Sequence, residues 1–210
     1  MKKIIFYLIV SSIFLSCSTN KKIEITDQEL MTLNDFKIEK MKINDSIYKI
    51  IAEKNDFTFS GVQNQKGKIG WWKLYDNSDK LLIAKIQFLY DGKYDFPNQI
   101  IRYNKDKINF EKSKFYTMEP KNDSIVYKVF FPQEKNITSE STSFYYQLNS
   151  KPKDYKSAKV YKKENYYIFK IENKDIKNLM GIFSLDIDKG NYIMKNMKMK
   201  VMDTLKNASR

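Results

Sequence analysis

Histidine does not occur among the 210 residues. Its absence removes every catalytic scheme that needs an imidazole base and every metal site that needs an imidazole ligand. Cysteine occurs once, at Cys17, so no internal disulfide can close. Arginine is confined to Arg102 and Arg210, although 38 basic residues face 25 acidic ones and the formal net charge is +13. A nucleic-acid site would carry arginines able to grip phosphate or guanine with two hydrogen bonds, gathered with aromatics into one module. Here lysines run along the whole chain instead, so nucleic acid is not an expected partner. Their expected roles are to solvate strand faces and to attract anionic lipid or polysaccharide weakly. Also missing are a Gly-x-Ser-x-Gly elbow, a Ser-x-x-Lys box, a phosphate-binding glycine loop and a dinucleotide fingerprint. The expectation is a protein without enzymatic activity, cofactor or metal. The catalysis left open is that of a carboxylate pair flanking a sugar bond.

What is present suffices for a folded body. Hydrophobic residues make up 42% and aromatics 15%, enough apolar surface for a core in one large or two small domains. Lys2 and Lys3 precede an apolar run from Ile4 to Leu15, which ends in Phe14-Leu15-Ser16-Cys17 before polar Ser18-Thr19-Asn20. The run is too short for a spanning helix, which takes about 20 apolar residues, and its basic, apolar and small-residue order is that of a secretory signal.

Phe14-Leu15-Ser16-Cys17 resembles a bacterial lipobox. The resemblance implies cleavage after Ser16, a diacylglyceryl group on the Cys17 sulfur and an acylated N-terminus that holds the protein on a membrane without a spanning helix. Ser18 at the second mature position resembles lipoproteins sorted to the outer membrane of Gram-negative bacteria. With no acidic cluster after Cys17, the periplasmic face is expected over the cell surface.

Residues 17–55 read as a polar tether followed by a short helix or hairpin, with a turn at Asn44-Asp45-Ser46. From Phe57 the pattern has period two, the signature of half-buried strands. Leu82, Ala84, Ile86, Phe88 and Tyr90 should share one face, with Lys85 and Gln87 on the other. Turns are expected at Asp91-Gly92, Asn104-Lys105-Asp106 and Met118-Glu119-Pro120, the last dividing residues 56–119 from 120–210. Beyond it, strands are expected around 125–131, 143–148, 158–162, 166–171, 181–187 and 192–202. The fold class is therefore all-β, an antiparallel meander followed by a small C-terminal sandwich.

Gly67-Lys68-Ile69-Gly70-Trp71-Trp72-Lys73-Leu74-Tyr75-Asp76, followed by Asp79-Lys80-Leu81, recurs loosely as Asn98 to Asn104 followed by Asp106-Lys107-Ile108. These units resemble MORN-type repeats, which implies stacked β-hairpins between Lys66 and Tyr116 and a role in scaffolding or interaction. Gly67 and Gly70 are expected to allow close backbone approach, and Trp72 and Tyr75 to fill the ridge. Trp71 and Trp72 are adjacent, so on a strand they point oppositely; one should be buried and the other free to meet a sugar ring or a partner side chain. Trp71, Trp72, Tyr75 and Tyr103 form the candidate aromatic surface.

Three further patterns bear on chemistry. Asp45-Ser46-Ile47, Asp123-Ser124-Ile125 and Asp203-Thr204-Leu205 resemble the O-glycosylation acceptor of exported Gram-negative proteins, which makes Ser46, Ser124 and Thr204 candidate sites. Asp186-Ile187-Asp188-Lys189-Gly190-Asn191 has the opening spacing of a calcium loop but lacks the later bidentate Glu, so a hairpin turn is expected. Met197 and Met199 share a strand face with Ile193 and Val201, which places them in a core and not in a copper site. The functional expectation is a lipid-anchored envelope protein that binds or scaffolds another envelope protein, the alternative being a lipoprotein that binds or processes a polysaccharide.

Overall fold

The computed structural model describes residues 25–149, 154–172, 178–190 and 194–204. The signal segment and Cys17 lie outside these residues. The chain from Asp35 onward forms one compact unit, and a short helix belongs to a separate one. That helix, α1 (Asp27–Thr32), opens on a capping box. Thr26 Oγ1 accepts from the Glu29 amide, and the Thr26 amide donates to Glu29 Oε2 at 2.8 Å. Leu33 closes the helix in the left-handed conformation.

Seven strands then follow one another as an antiparallel meander: β1 (Lys37–Lys42), β2 (Ile47–Lys54), β3 (Phe57–Asn64), β4 (Gly67–Asp76), β5 (Leu81–Tyr90), β6 (Asp95–Asn104) and β7 (Lys107–Ile108). The tether region therefore holds both a helix and a hairpin, with Asn44 Oδ1 accepting from the Ser46 amide in the expected turn. The other reversals also rest on short polar side chains. Asn64 Oδ1 takes the amides of Lys66 and Gly67, and Asp91 Oδ1 takes those of Lys93 and Tyr94. These two donors hold the Asp91 carboxyl below its ordinary range. Phe59, Trp72, Leu74, Ala84, Ile86 and Phe88 are all buried on one face of this sheet.

The single-face expectation for β5 holds from Ala84 to Phe88. It fails at Leu82, because the pairing steps from Leu74↔Ala84 to Tyr75↔Leu82 across a bulge. A larger irregularity lies between β3 and β4, where pairing jumps from Ser60↔Lys73 to Val62↔Ile69, leaving Gly61 opposite the Gly70–Trp72 stretch. Gly70 sits there at φ +65° with open space where a β-carbon would be, so backbone conformation requires this glycine, not close approach. The close approach belongs to Gly61, over which the Trp72 ring lies.

The remaining strands form two four-stranded antiparallel sheets. One has the order β12-β13-β9-β8, from β8 (Phe115–Lys121), β9 (Ser124–Phe130), β12 (Tyr161–Lys162) and β13 (Tyr167–Glu172). The other has the order β11-β10-β14-β15, from β10 (Ser139–Leu148), β11 (Lys156–Ala158), β14 (Asn178–Asp188) and β15 (Met194–Thr204). Their inner faces share one core; Phe144 of β10 and Phe169 of β13 stack across it with ring centroids 4.0 Å apart. Met199 and Val201 are buried in that core, and Met197 packs against it. Gly181 of β14 makes room for the Phe144 ring, which would lie 2.5 Å from an added β-carbon.

Two expected boundaries differ. Met118-Glu119-Pro120 is not a turn. These residues lie inside β8, and the chain reverses at Asn122-Asp123, so the expected division at 120 falls within the β8–β9 hairpin. Pro120 is tolerated there because β8 is an edge strand. The single strand expected at 158–162 is two short strands that end up in opposite sheets, as an edge segment crossing between layers must.

Candidate functional site

The two tryptophans separate as adjacent strand residues must. Trp72 is wholly buried, its Nε1 donating to the Val62 carbonyl at 3.0 Å and its ring 4.9 Å from that of Phe59. Trp71 is 41% exposed on the opposite face, directly across from Gln87 of β5. Tyr75 and Tyr103 are half-buried, and Lys85 Nζ lies 5.8 Å from the Tyr103 ring centroid. Of the expected aromatic surface, Trp71 is therefore the member open to a partner, and Trp72 belongs to the core.

Beside Trp71 on this face, beginning at Gln87, lies a polar hub that the sequence reading missed. Gln87, Asn98 and Gln99 are mid-strand amides, the last two buried. Gln87 Oε1 accepts from both Asn98 Nδ2, at 3.1 Å, and Gln99 Nε2, at 2.8 Å. Gln99 Oε1 accepts from the Tyr116 amide at 3.0 Å. Asn98 reaches farther: its Nδ2 donates to the Lys200 carbonyl at 2.8 Å and its Oδ1 accepts from the Lys200 amide at 2.7 Å. One side-chain amide thus pairs with β15 as a neighbouring strand would. Two residues on, Tyr116 Oη accepts from the Met202 amide at 3.3 Å. The outer edge of β15 is therefore occupied at Lys200 and Met202. Interruption of the apolar alternation by Asn98-Gln99 is the signal that could have revealed the hub.

Next to it, Asp203 lies between the phenols of Tyr116 and Tyr127. Tyr116 Oη is 3.3 Å from Asp203 Oδ1, whereas Asp203 Oδ2 and Tyr127 Oη are buried without a hydrogen-bond partner among the described residues. Burial pushes the Asp203 carboxyl up, outweighing the opposite influence of the two phenols. Burial, and then the Asp203 charge, push both tyrosines up as well.

The sandwich carries a cleft of about 280 Å³, with Phe131, Leu185 and Ile187 as its buried lining and Glu134, Glu140 and Lys162 among its charged residues. Lys189 and Lys195 both pair with Glu134 and hold it below the ordinary carboxylate range. Glu140 accepts from Lys162 at 2.8 Å and from Tyr167 Oη at 3.1 Å. A carboxylate held low stays ionised at neutral pH and makes a poor proton donor, so Glu134 does not fit the acid of a glycosidase. Trp71 is not among the residues lining this cleft.

The modification candidates fall apart from one another. Ser46 is exposed in its turn. Ser124 is 2% exposed, paired on both sides within its sheet, and leaves no room for a sugar. Thr204 ends β15, with its side chain outside the described residues. Asp186 and Asp188 do not converge on a cation. Asp186 accepts from Asn196, and Asp188 Oδ1 accepts from the Gly190 amide at 2.7 Å, which is turn chemistry. No family model, curated protein or solved structure matches this chain.

Proposed function

We propose that the chain is a lipid-anchored, non-catalytic binding module of the bacterial envelope, acylated at Cys17 and held at the periplasmic face of the outer membrane. In this reading its MORN-like meander presents the face around Trp71 to another envelope protein. The observation that carries the reading is the exposed Trp71, standing on a rigid sheet whose other face is built around its buried neighbour. A large ring held in place loses little conformational freedom on binding, which is why tryptophan recurs where contacts carry energy. The ion-paired state of Glu134 supports the non-catalytic half of the proposal. A second reading, polysaccharide binding, draws on the same ring, since an exposed indole also stacks on a sugar.

Capture from envelope extract with the full chain tests the docking half. Trp71→Ala should lose the retained partner while keeping the fold. Retention unchanged by that substitution overturns the assignment of this face, and a retained polysaccharide in place of a protein selects the second reading. Metabolic labelling with a fatty-acid analogue tests the anchor: label and membrane association should both disappear in Cys17→Ala, and an unlabelled wild type overturns it.

A further inference from the structure

Lys73 of β4 and Lys85 of β5 stand directly opposite each other on the sheet face that carries Trp71. Two ammoniums side by side across a strand pair repel each other, a cost that an anion laid between them removes. Neither lysine forms an ion pair among the described residues, and the neighbour that Lys85 has is the Tyr103 ring. The register puts no carboxylate on this face of β3, β4, β5 or β6. Glu53 of β2 and Glu39 of β1 do share the face, two and three strands from Lys73, but Lys37 and Lys49 on the same two strands balance them. At the other end of the face Lys200 of β15 adds an ammonium over Phe96, with the Asp91 carboxylate close enough to feel its charge. The outer strands are therefore neutral in sum, and the surface beside Trp71 is positive.

Gln87, opposite Trp71, adds a donor to this surface. Its Oε1 is taken by Asn98 and Gln99, which leaves its Nε2 accessible and without a partner among the described residues. The polar groups beside Trp71 on β4 and β5 thus all donate: two ammoniums and one amide. An ionised carboxylate only accepts, so it meets all three without leaving a proton of its own unbonded. A sugar hydroxyl donates as well as accepts, and its proton would find no acceptor among them. Trp71 also stands on an open sheet and not in a cleft, the form of a protein contact more than of a small-ligand pocket.

We propose that this face takes an acidic segment of a partner protein, with an apolar side chain of that segment against Trp71 and its carboxylates on Lys73, Lys85 and the Gln87 amide. The inference rests on the reading of Trp71 as the contact ring and adds the chemistry of what it contacts. The ring supplies contact area, and the lysines select for negative charge.

Quenching of tryptophan fluorescence reads this face directly, because Trp72 is wholly buried and Trp71 is the indole that meets solvent. In the full chain, held in neutral detergent at low salt, iodide should reach Trp71 better than caesium. The ratio of the two quenching constants should fall about threefold or more in Lys73→Gln, Lys85→Gln, since two charges beside the ring are gone. Removing the same charge from exposed sites on the sandwich, Lys156→Gln, Lys198→Gln, should leave the ratio as it was. The first pair should fold at least as firmly as the wild type, because it removes a repulsion. An unchanged ratio in that pair overturns the proposal. Poly-L-glutamate should shield Trp71 from acrylamide, and Lys73→Gln, Lys85→Gln should weaken its binding about three- to tenfold, the scale of two exposed ion pairs. No shielding overturns the proposal. Equal or stronger shielding by polygalacturonate at the same carboxylate concentration assigns the face to an acidic polysaccharide and overturns it too. In capture from envelope extract, a protein lost with Trp71→Ala should also be lost or weakened with the lysine pair. A protein that Trp71→Ala loses and the lysine pair keeps overturns the acidic partner but leaves the Trp71 face standing, whereas one kept by both variants overturns both.

Discussion

A β-carbon placed on Gly61 would lie 2.3 Å from the ring of Trp72. No side-chain adjustment at position 61 relieves that overlap, and the ring is fixed by its bond to Val62 and by the rings of Phe59 and Phe88. Gly61→Ala should therefore destabilise the protein by about 1–3 kcal/mol, the usual cost of overpacking a filled core, read as a lower urea midpoint with unchanged slope. Unaltered stability would mean that the indole has another place to go.

The two tryptophans should respond oppositely. Trp72→Ala empties the centre of the meander core and should cost about 3–5 kcal/mol in unfolding free energy. Trp71→Ala should change stability by about 0.5 kcal/mol or less, as exposed substitutions do, while abolishing partner retention. Denaturation and capture measured on the same preparations separate the two roles.

Asn98→Ala removes three hydrogen bonds at once and leaves the Lys200 amide and carbonyl without their partner. The expected cost is about 2–4 kcal/mol, since stranding buried polar groups costs more than the bonds themselves contribute. Native-state hydrogen exchange should show the Lys200 amide opening far faster than in the wild type. Exchange that stays slow there would show that another group closes the β15 edge.

Stability should fall as pH rises past the ordinary carboxylate range, and the cause is Asp203. Its folded pKa lies above the ordinary aspartate value of 3.8, so the native state keeps a proton that the unfolded chain has released. The contribution is complete below that value and disappears as pH climbs through the folded pKa. Tyr116 and Tyr127, also raised, act with the same sign above pH 10.0, where the unfolded chain ionises first. Glu134, held low, acts oppositely on the acid side. Urea midpoints of wild type and Asp203→Asn, followed from mildly acid to neutral pH, should differ in slope; parallel curves would refute the assignment.

Most of the architecture was legible because strand alternation and turn chemistry are local. Ala84, Ile86 and Phe88 announce their face by spacing alone, and Asn44-Asp45-Ser46 announces its reversal. The errors lie where non-local pairing decides. Nothing local tells Pro120 that it will sit on a sheet edge, or separates Lys156–Ala158 from Tyr161–Lys162 into different sheets. The Trp71/Trp72 alternation was readable from strand geometry, but which ring turns inward depends on the Gly61 bulge and was not. The Asn98 hub was hidden because a mid-strand asparagine has meaning only once β15, 102 residues away, comes alongside.

That last contact has a consequence for how the molecule comes apart. The final rung of the sandwich ladder is supplied by a residue of the meander, so neither half possesses a finished boundary by itself. Cutting the gene between them would expose raw backbone on β15 and strand a primary amide in the cut surface of β6. Both fragments would then be prone to stick to copies of themselves, and the intact body should melt as one cooperative piece.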